Sequence, residues 1–598
     1  MKKINNALYM LGYAARHVPG FFFWTIMEGL VWGCIHSFTS VLFVKTLFDK
    51  IENQAPFSEI LMFVGVMALF FIFAYIFHEW YWRFLEPRTR HELHKRMQEK
   101  LFKKAAALDL ACYDDPKFYT DFVWAINEAD KRAIAVCEDM GKVINRVLSS
   151  SVILSVLLSV DLWIVAAVCA SVGFAVWLNM LRAKIQFKRD DQIKPIQRKA
   201  DYIGRVHYLA DYAKELRLSN AEDILARDFD RSVKDIITII KQYGRKMFLA
   251  SFTRRFSLSM LFDVGVLILL VYKMMVEQSI TLGDFAATLG AMWKLFWQIN
   301  NLMDYFTKFK EHSLYAEKFR VFLSYKPTVC DEEHCVACND RMETLELKNV
   351  SFAYPGSDKN IISNLSMSIK YGQKIALVGY NGAGKSTLVK LLLRLYDVFD
   401  GAILLNGEAI QNFTLESYRK KFGTVFQDFQ LYAADIAENV LCDTYTDADE
   451  PRVEAALSNS GFDSRLTSLP DGIHTTLTKE FDETGTNLSG GEAQKIAIAR
   501  IFAKPCDIVI LDEPSSALDP ISEYELNKTI MTAFDKTVVI ISHRLSVTRM
   551  ADVIYMLEDG EIIEQGHHDE LMRLNGKYAE MFKKQAEKYC YEKDSAYG

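Results

Sequence analysis

The sequence predicts a molecule of two unlike parts: an all-α domain of six membrane-spanning helices, then an α/β P-loop domain with a helical subdomain. Three observations predict it. Long apolar runs crowd the first half of the 598-residue chain, although hydrophobic residues make up only 50% overall. Gly379-Tyr-Asn-Gly-Ala-Gly-Lys385-Ser386-Thr387 fits the phosphate-cradling pattern G-x-x-x-x-G-K-[ST]. Ile508-Val-Ile-Leu-Asp512-Glu513 reads as an apolar strand that ends in two carboxylates.

The domain of residues 1–325 opens with an amphipathic segment, 4–17, suited to lie on a membrane surface. Spans are expected at 20–47, 58–78, 143–160, 162–182, 256–275 and 282–308. Each offers roughly 20 apolar-dominated residues, enough to cross a ~30 Å hydrocarbon core. The connections 83–142 and 183–255 are long and rich in Lys and Arg, whereas the other three are short. By the positive-inside rule both long connections and both termini are cytoplasmic, in a multi-pass protein of the cell membrane. The long connections read as helical extensions with apolar tips around 110–120 and 208–222 that require a partner surface. No cleavable signal peptide is read at the N-terminus, and no peptidase domain before residue 20. Net charge is −6, too small to suggest a nucleic-acid partner. A linker, 326–342, leads to the second domain, 343–598.

In that second domain the strand Lys374–Val378 enters the glycine loop and a helix from Ser386 leaves it, so phosphates would sit on a helix N-terminus. Gly379, Gly382 and Gly384 let backbone amides approach phosphate oxygens without a Cβ in the way. Asn381 and Thr387 belong to the same loop. Lys385 supplies a mobile charge and Ser386 a hydroxyl for Mg²⁺. Asp512 would hold the Mg²⁺ shell and Glu513 would polarise the attacking water as general base, which makes this an ATPase site.

Further residues carry a family resemblance. Leu488-Ser-Gly-Gly-Glu-Ala-Gln494 lies upstream of the carboxylates, Ser516-Ala-Leu-Asp519 and Ser542-His543 lie downstream, and Tyr354 and Gln427 flank their own strands. With these, residues 343–598 resemble the nucleotide-binding domain of ATP-binding cassette (ABC) transporters. Six spans before one cassette resemble a half-transporter of the exporter fold. The resemblance implies that Tyr354 stacks on adenine, that Gln427 joins the Mg²⁺ and water shell, and that His543 contacts the γ-phosphate. It implies that Ser489, Gly490, Gly491 and Asp519 meet the nucleotide of a second copy. The partner is then another half-transporter, a homodimer being the simplest reading and a heterodimer the alternative. Two positions depart from the common pattern: Glu492-Ala493 stands where such exporters often have Gln-Arg, and Phe481-Asp-Glu-Thr-Gly485 where Val-Gly-Glu-x-Gly is usual. The implied activity is ATP-driven export of an amphipathic peptide, lipid or drug. Its rivals are a lipid flippase, an exporter-fold importer of a metal chelate, and an ATP-gated channel or regulator.

Two further groups are candidates. Glu28, Trp32 and His36 share one face of the first span. Lys294, Gln298 and Asn301 share one face of the sixth, beside Trp293 and Trp297. Ionisable groups at membrane depth are costly unless paired or lining water, so these faces are expected to line the substrate cavity. The linker carries Cys330, His334, Cys335 and Cys338, ligand types that Zn²⁺ prefers. Packed on one short strip, they favour an ordinary reduced linker over a zinc site or a Cys335–Cys338 disulfide.

Overall fold

The computed structural model describes residues 2–595 apart from 258–259, 261–263, 333, 358, 482, 515–519, 534–535 and 543–546. It divides into two units. One comprises Met1–Ala106 with Thr120–Tyr325, the other Ala107–Tyr119 with Lys326–Gly598. The short segment 107–119, read from sequence as a membrane-domain tip, therefore groups with the second unit.

The first unit is entirely helical. Its helices are α1 (Lys2–His17), α2 (Pro19–Ser37), α3 (Phe43–Glu52), α4 (Phe57–Trp80) and α5 (Glu86–Ala106). In the second unit lies the short α6 (Ala111–Asp114). The first then resumes within α7 (Pro116–Val160), whose first four residues belong to the second unit, and continues with α8 (Leu162–Tyr208), α9 (Ala213–Leu218), α10 (Ala221–Ser257), α11 (Val266–Met275) and α12 (Leu282–Ser324). Single π-helical turns at Phe38–Leu42 and Tyr81–Leu85 join α2 to α3 and α4 to α5. Among the described residues, three helices are each long and apolar enough to cross a membrane: Phe57–Ala106, Asp121–Val160 and Leu162–Tyr208. Leu8–His17 and Pro19–Ile35 meet that test only as a pair bent by 115°. This differs from the six expected spans. The first is met only by that bent pair, the sixth falls within the less apolar helix Leu282–Ser324, and the fifth is described only as the shorter apolar helix Val266–Met275.

Most of α4 is apolar on every side, and only Met67 and Ala74 are buried. Leu69 and Phe73 are each 69% exposed, a surface that suits lipid rather than water. Opposite requirements govern α2 and α7. A Cβ on Gly29 would lie 2.3 Å from the Gly141 carbonyl oxygen, and one on Gly33 would lie 3.0 Å from that of Asn145. Small residues let the two backbones touch. α1 is amphipathic as expected: Met10, Tyr13 and Ala14 are buried while Leu8 is exposed. Its Asn6 amide bridges to α12, donating to the Ser313 carbonyl at 3.4 Å and accepting from Arg320 at 2.7 Å. At the opposite end Asp161 caps α8 through the amides of Trp163 and Ile164 and pairs with Lys273 at 2.6 Å. The 208–222 tip forms a 3₁₀ turn and α9, and leaves Leu218 86% exposed.

In the second unit, β1 (Thr344–Phe352), β2 (Ile362–Lys370), β4 (Asp400–Leu405) and β5 (Glu408–Ala409) form an antiparallel sheet in the order β2-β1-β4-β5. A second sheet holds β3 (Lys374–Gly379), β6 (Phe422–Val425), β7 (Ile508–Asp512), β8 (Thr537–Ile541), β9 (Val553–Glu558) and β10 (Glu561–Gly566). Its order is β10-β9-β3-β8-β7-β6, parallel except for the β10 edge. β7 and β8 are buried along their whole length, which is why both read as unbroken Ile/Val/Leu runs. The helical subdomain has its own core, in which Ile436, Val440, Val453, Leu457 and Phe462 pack on Ile496 and Ala499. Helix α13 (Lys385–Leu392) leaves the loop after β3; α14 is Leu415–Lys420, α15 Ile436–Leu441, α16 Glu450–Asn459, α17 Asp463–Leu466 and α18 Gly490–Ala503.

The 107–119 segment is bound into this unit by chemistry as well as position. Asp109, 5% exposed, accepts from the Thr328 amide at 2.7 Å, the Thr328 hydroxyl at 2.9 Å and the Val329 amide at 3.1 Å. Tyr396 donates its hydroxyl to Asp114 at 2.7 Å, and Leu110 and Ala111 pack on the cassette core.

Candidate functional site

The C-terminal ends of parallel strands gather the predicted ATPase residues, the usual place for ligands in such sheets. Gly379 at the end of β3 has φ of +152°, Gly382 +84° and Gly384 +101°. These are left-handed values that side chains resist, and a Cβ on Gly379 would stand 2.3 Å from the Leu557 carbonyl oxygen. The loop between them holds Asn381 in its turn and delivers Lys385 and Ser386 to the start of α13. The Lys385 amine, only 6% exposed for the residue, donates to the Gly379 and Tyr380 carbonyls at 2.8 and 3.0 Å. Burial lowers its pKa, and the nearby charges of Glu513 and Asp512 oppose that fall.

Asp512 ends β7. Burial raises its pKa, a hydrogen bond from the Ser386 side chain lowers it, and Glu513 and Asp428 push it upward again. The Ser386 hydroxyl and the Asp512 carboxylate are thus already in contact, which fits a pair that would hold Mg²⁺. Asp428, one residue beyond Gln427 in the exposed turn after β6, is a third acidic group near this pair that the sequence reading missed. Glu513 has φ of +49°, rare for a side-chain-bearing residue, and its amide donates to the Ile541 carbonyl at 3.0 Å. Tyr354 reaches the same helix start: its hydroxyl lies 3.0 Å from the Thr387 hydroxyl, and its ring meets Phe352 and Tyr396 edge-on.

The signature forms the N-terminus of α18. Ser489 is the N-cap; its hydroxyl accepts from the Glu492 amide at 3.3 Å and its amide donates to the Glu492 carboxylate at 2.8 Å. This is a reciprocal capping box, and Arg465 pairs with Glu492 at 3.0 Å. The departure from Gln at position 492 thus has a local structural role, and S-x-x-E was a legible signal for it. Ser489 and Gly490 are exposed, and Gly491 is half-buried; the described hydrogen bonds of Ser489 stay inside its own cap. Asp519 and His543 lie outside the described residues.

A second candidate site is a cavity of about 650 Å³ within the helical unit. Glu28 and Trp32 line it, together with Thr25 on the same helix. Glu28 accepts from, or donates to, His78 Nδ1 at 3.0 Å, and Trp32 stacks on the His78 ring at 4.1 Å. Sequence reasoning missed His78, Arg83, Lys142 and Arg146 because they flank the apolar runs instead of interrupting them. The side chain of His36 lies outside the described residues. The expected face of the sixth span needs correction. Lys294, Gln298, Asn301, Trp293 and Trp297 are not among the described lining residues; α12 contributes Tyr305. Gln298 is 1% exposed, accepts from Arg146 Nη1 at 2.8 Å and donates to the Ser149 hydroxyl at 2.7 Å, so it fixes packing against α7. Trp293 and Trp297, 46% and 59% exposed, point off that face. Tyr305 lies two turns beyond Gln298 on the same helix.

The zinc alternative does not assemble among the described residues. Among the described residues no three His, Cys, Asp or Glu side chains gather as metal ligands. The Cys335 amide donates back to the Glu332 carbonyl at 3.1 Å and Val336 pairs with Phe413, which sends the candidate ligands to different places. Cys338 is buried in the cassette core, Cys330 is exposed, and Cys335 donates to the Gln411 carbonyl at 3.2 Å. His334 pairs with Glu332 at 3.4 Å instead, and all three thiols are free.

Residues 362–516 match the family model of the ABC transporter. The chain is 33% identical over 323 residues to heavy metal tolerance factor 1 of Caenorhabditis elegans, covering 54% of this chain and 40% of that one. It is 34% identical over 328 residues to the ATP-dependent lipid A-core flippase of Coxiella burnetii, covering 54% of each. The chain thus spans about half the length of the curated relatives it matches. The solved structure of a bacterial Atm1-family ABC exporter with ATP bound matches with a TM-score of 0.74, at 24% identity. That match covers 96% of this chain and 98% of the other, and shows a shared fold.

Proposed function

From a chain that joins one ABC transporter cassette to a helical unit, the half-transporter arrangement of the exporter fold, we infer ATP-driven export of a small amphipathic substrate by a dimer. The observation that carries it is the meeting of Lys385, Ser386, Asp512 and Glu513 at the sheet's C-terminal edge. Lys385 and the glycine-loop amides would hold the phosphates. Ser386 and Asp512, with Gln427, would hold Mg²⁺, which neutralises phosphate charge when bound. Glu513 takes the proton of the attacking water, and His543 steadies the γ-phosphate. Tyr354 stacks on adenine. Ser489, Gly490, Gly491 and Asp519 close over the nucleotide of the second copy, an arrangement that the exposed capping box leaves available.

ATP binding closes the paired cassettes, and the 107–119 segment travels with its cassette because Asp109 and Tyr396 hold it there. Closure turns the cavity from inward-facing to outward-facing; hydrolysis resets it. Both termini and the cassette are cytoplasmic in this reading, and two copies of this chain supply two competent sites. A lipid flippase is the second reading, favoured by the similarity to a lipid A-core flippase.

Inverted membrane vesicles test this. ATP-dependent accumulation of dansylated amino acids, abolished in Glu513→Gln, supports export. Movement of headgroup-labelled lipid without accumulation of any soluble probe makes the chain a flippase. Flux down either gradient in the Glu513→Gln variant contradicts both readings.

A further inference from the structure

The charges around the cavity are unevenly matched. Among its described lining residues are three carboxylates, Glu28, Glu79 and Glu138, and three fixed cations, Arg83, Lys142 and Arg146. Every carboxylate has a basic partner. Glu28 meets His78 at 3.0 Å, Glu79 meets Arg83 at 3.1 Å, and Glu138 is held by Arg90 and by Lys142 at 3.6 Å. Lys142 has a further acidic neighbour in Asp139 at 3.8 Å.

Arg146 is different. Its described partner is the neutral amide oxygen of Gln298, at 2.8 Å from Nη1. That oxygen is fixed in place, because Gln298 donates to Ser149 at 2.7 Å and Ser149 meets Ser37 at 2.7 Å. A guanidinium carries five N–H donors in a rigid fork, so one bond to Gln298 orients the group and leaves donors for the cavity. A cation near membrane depth without a described counter-charge is costly, and an anion entering the cavity relieves that cost. The aromatic walls, Trp32, Trp82 and Tyr305, offer the apolar surface that completes an amphipathic site.

We propose that Arg146 is the specificity-determining residue of this cavity and receives an oxyanion, a carboxylate or a lipid phosphate, while the body of the substrate packs on Trp32, Trp82 and Tyr305. This rests on the export reading for its role as a transport site, but the binding itself needs neither ATP nor pumping.

Equilibrium binding to the purified full chain in phosphatidylcholine nanodiscs tests it without nucleotide. Dansyl-phenylalanine and its amide differ only in the carboxylate. The wild type should bind the carboxylate at least tenfold more tightly. Arg146→Gln should reduce the ratio to near one, and Arg146→Lys should keep part of it, since a point charge remains without the fork. Adding phosphatidylglycerol to the discs separates the two sources of the anion. Displacement of the probe assigns the site to lipid phosphate, and no displacement assigns it to a soluble carboxylate; either keeps Arg146 as receptor. Equal affinity for the two probes in the wild type, binding of neither, or an unchanged ratio in Arg146→Gln overturns the proposal. If the Gln variant fails to fold, the wild-type ratio and the Lys variant decide. A chain that shows the ratio but no ATP-dependent accumulation would sink the export reading and leave this one standing.

Discussion

Glu513 occupies a left-handed backbone position at φ of +49°, where the strand ends and the chain must turn its carboxylate toward the phosphate loop. Conformations of this kind cost roughly 1–3 kcal/mol and persist where the surroundings impose them. Glu513→Gln keeps the shape and loses the base, so ATP should still bind while turnover falls about 10²–10⁴-fold. Lys385→Ala should instead weaken nucleotide binding itself, read by equilibrium titration of a fluorescent ATP analogue. Glu492 gives a prediction of another kind. Its pKa is held below the ordinary 4.5 first by the Ser489 amide hydrogen bond. A carboxyl depressed in the folded state contributes stability that is present above its unfolded pKa and is lost as pH falls through the folded value. Glu492→Gln removes the charge but keeps the shape. The melting temperature of the wild type should exceed the variant's near pH 7, and the gap should close as the pH drops below the ordinary glutamate range. A gap that widens in acid would contradict the capping role.

At the scale of elements, the α2–α7 crossing depends on glycine. Gly29→Val must push a side chain against the Gly141 carbonyl and should cost about 1–3 kcal/mol, read as lower thermal stability and poorer monodispersity. Gly65→Val, on the open side of α4 with nothing within 4 Å, should cost little by the same measures. The 107–119 segment supplies a second test. Asp109→Ala leaves the Thr328 and Val329 amides without their acceptor, at a cost on the order of 1–3 kcal/mol. Endoproteinase Glu-C should then cut faster at the exposed Glu332, three residues from the anchored Val329. Cleavage at the wild-type rate would show that Asp109 does not hold the linker. The cassette elements were legible because their signals are local: the glycine loop needs glycines at fixed offsets, and buried parallel strands read as apolar runs. The cavity was only half legible. Glu28 and Trp32 interrupt an apolar span and stand out, whereas Arg146 and His78 lie at span margins, where charge is unremarkable in a sequence. Gln298 was misassigned because periodicity gives a face, and only the neighbouring helix decides whether that face is packed or open. For the cysteine strip, spacing showed zinc-preferred residue types at close range, while pairing with residues 412–414 sends their side chains to different places.

For the whole molecule, the account requires that nucleotide chemistry in one unit drive rearrangement in the other, and that two copies of the chain complete each other's sites. In that account the exposed signature at the start of α18 and the exposed tip 208–222 are surfaces that a second subunit would cover. The most direct test of that claim is the vanadate-sensitive ATPase rate of the purified chain in nanodiscs, measured with its mass and alongside Glu513→Gln. The account predicts a dimer that hydrolyses ATP, inhibited by vanadate, and a variant that binds ATP yet scarcely turns over. A monomer with no activity, or a Glu513→Gln variant as fast as the wild type, would contradict it.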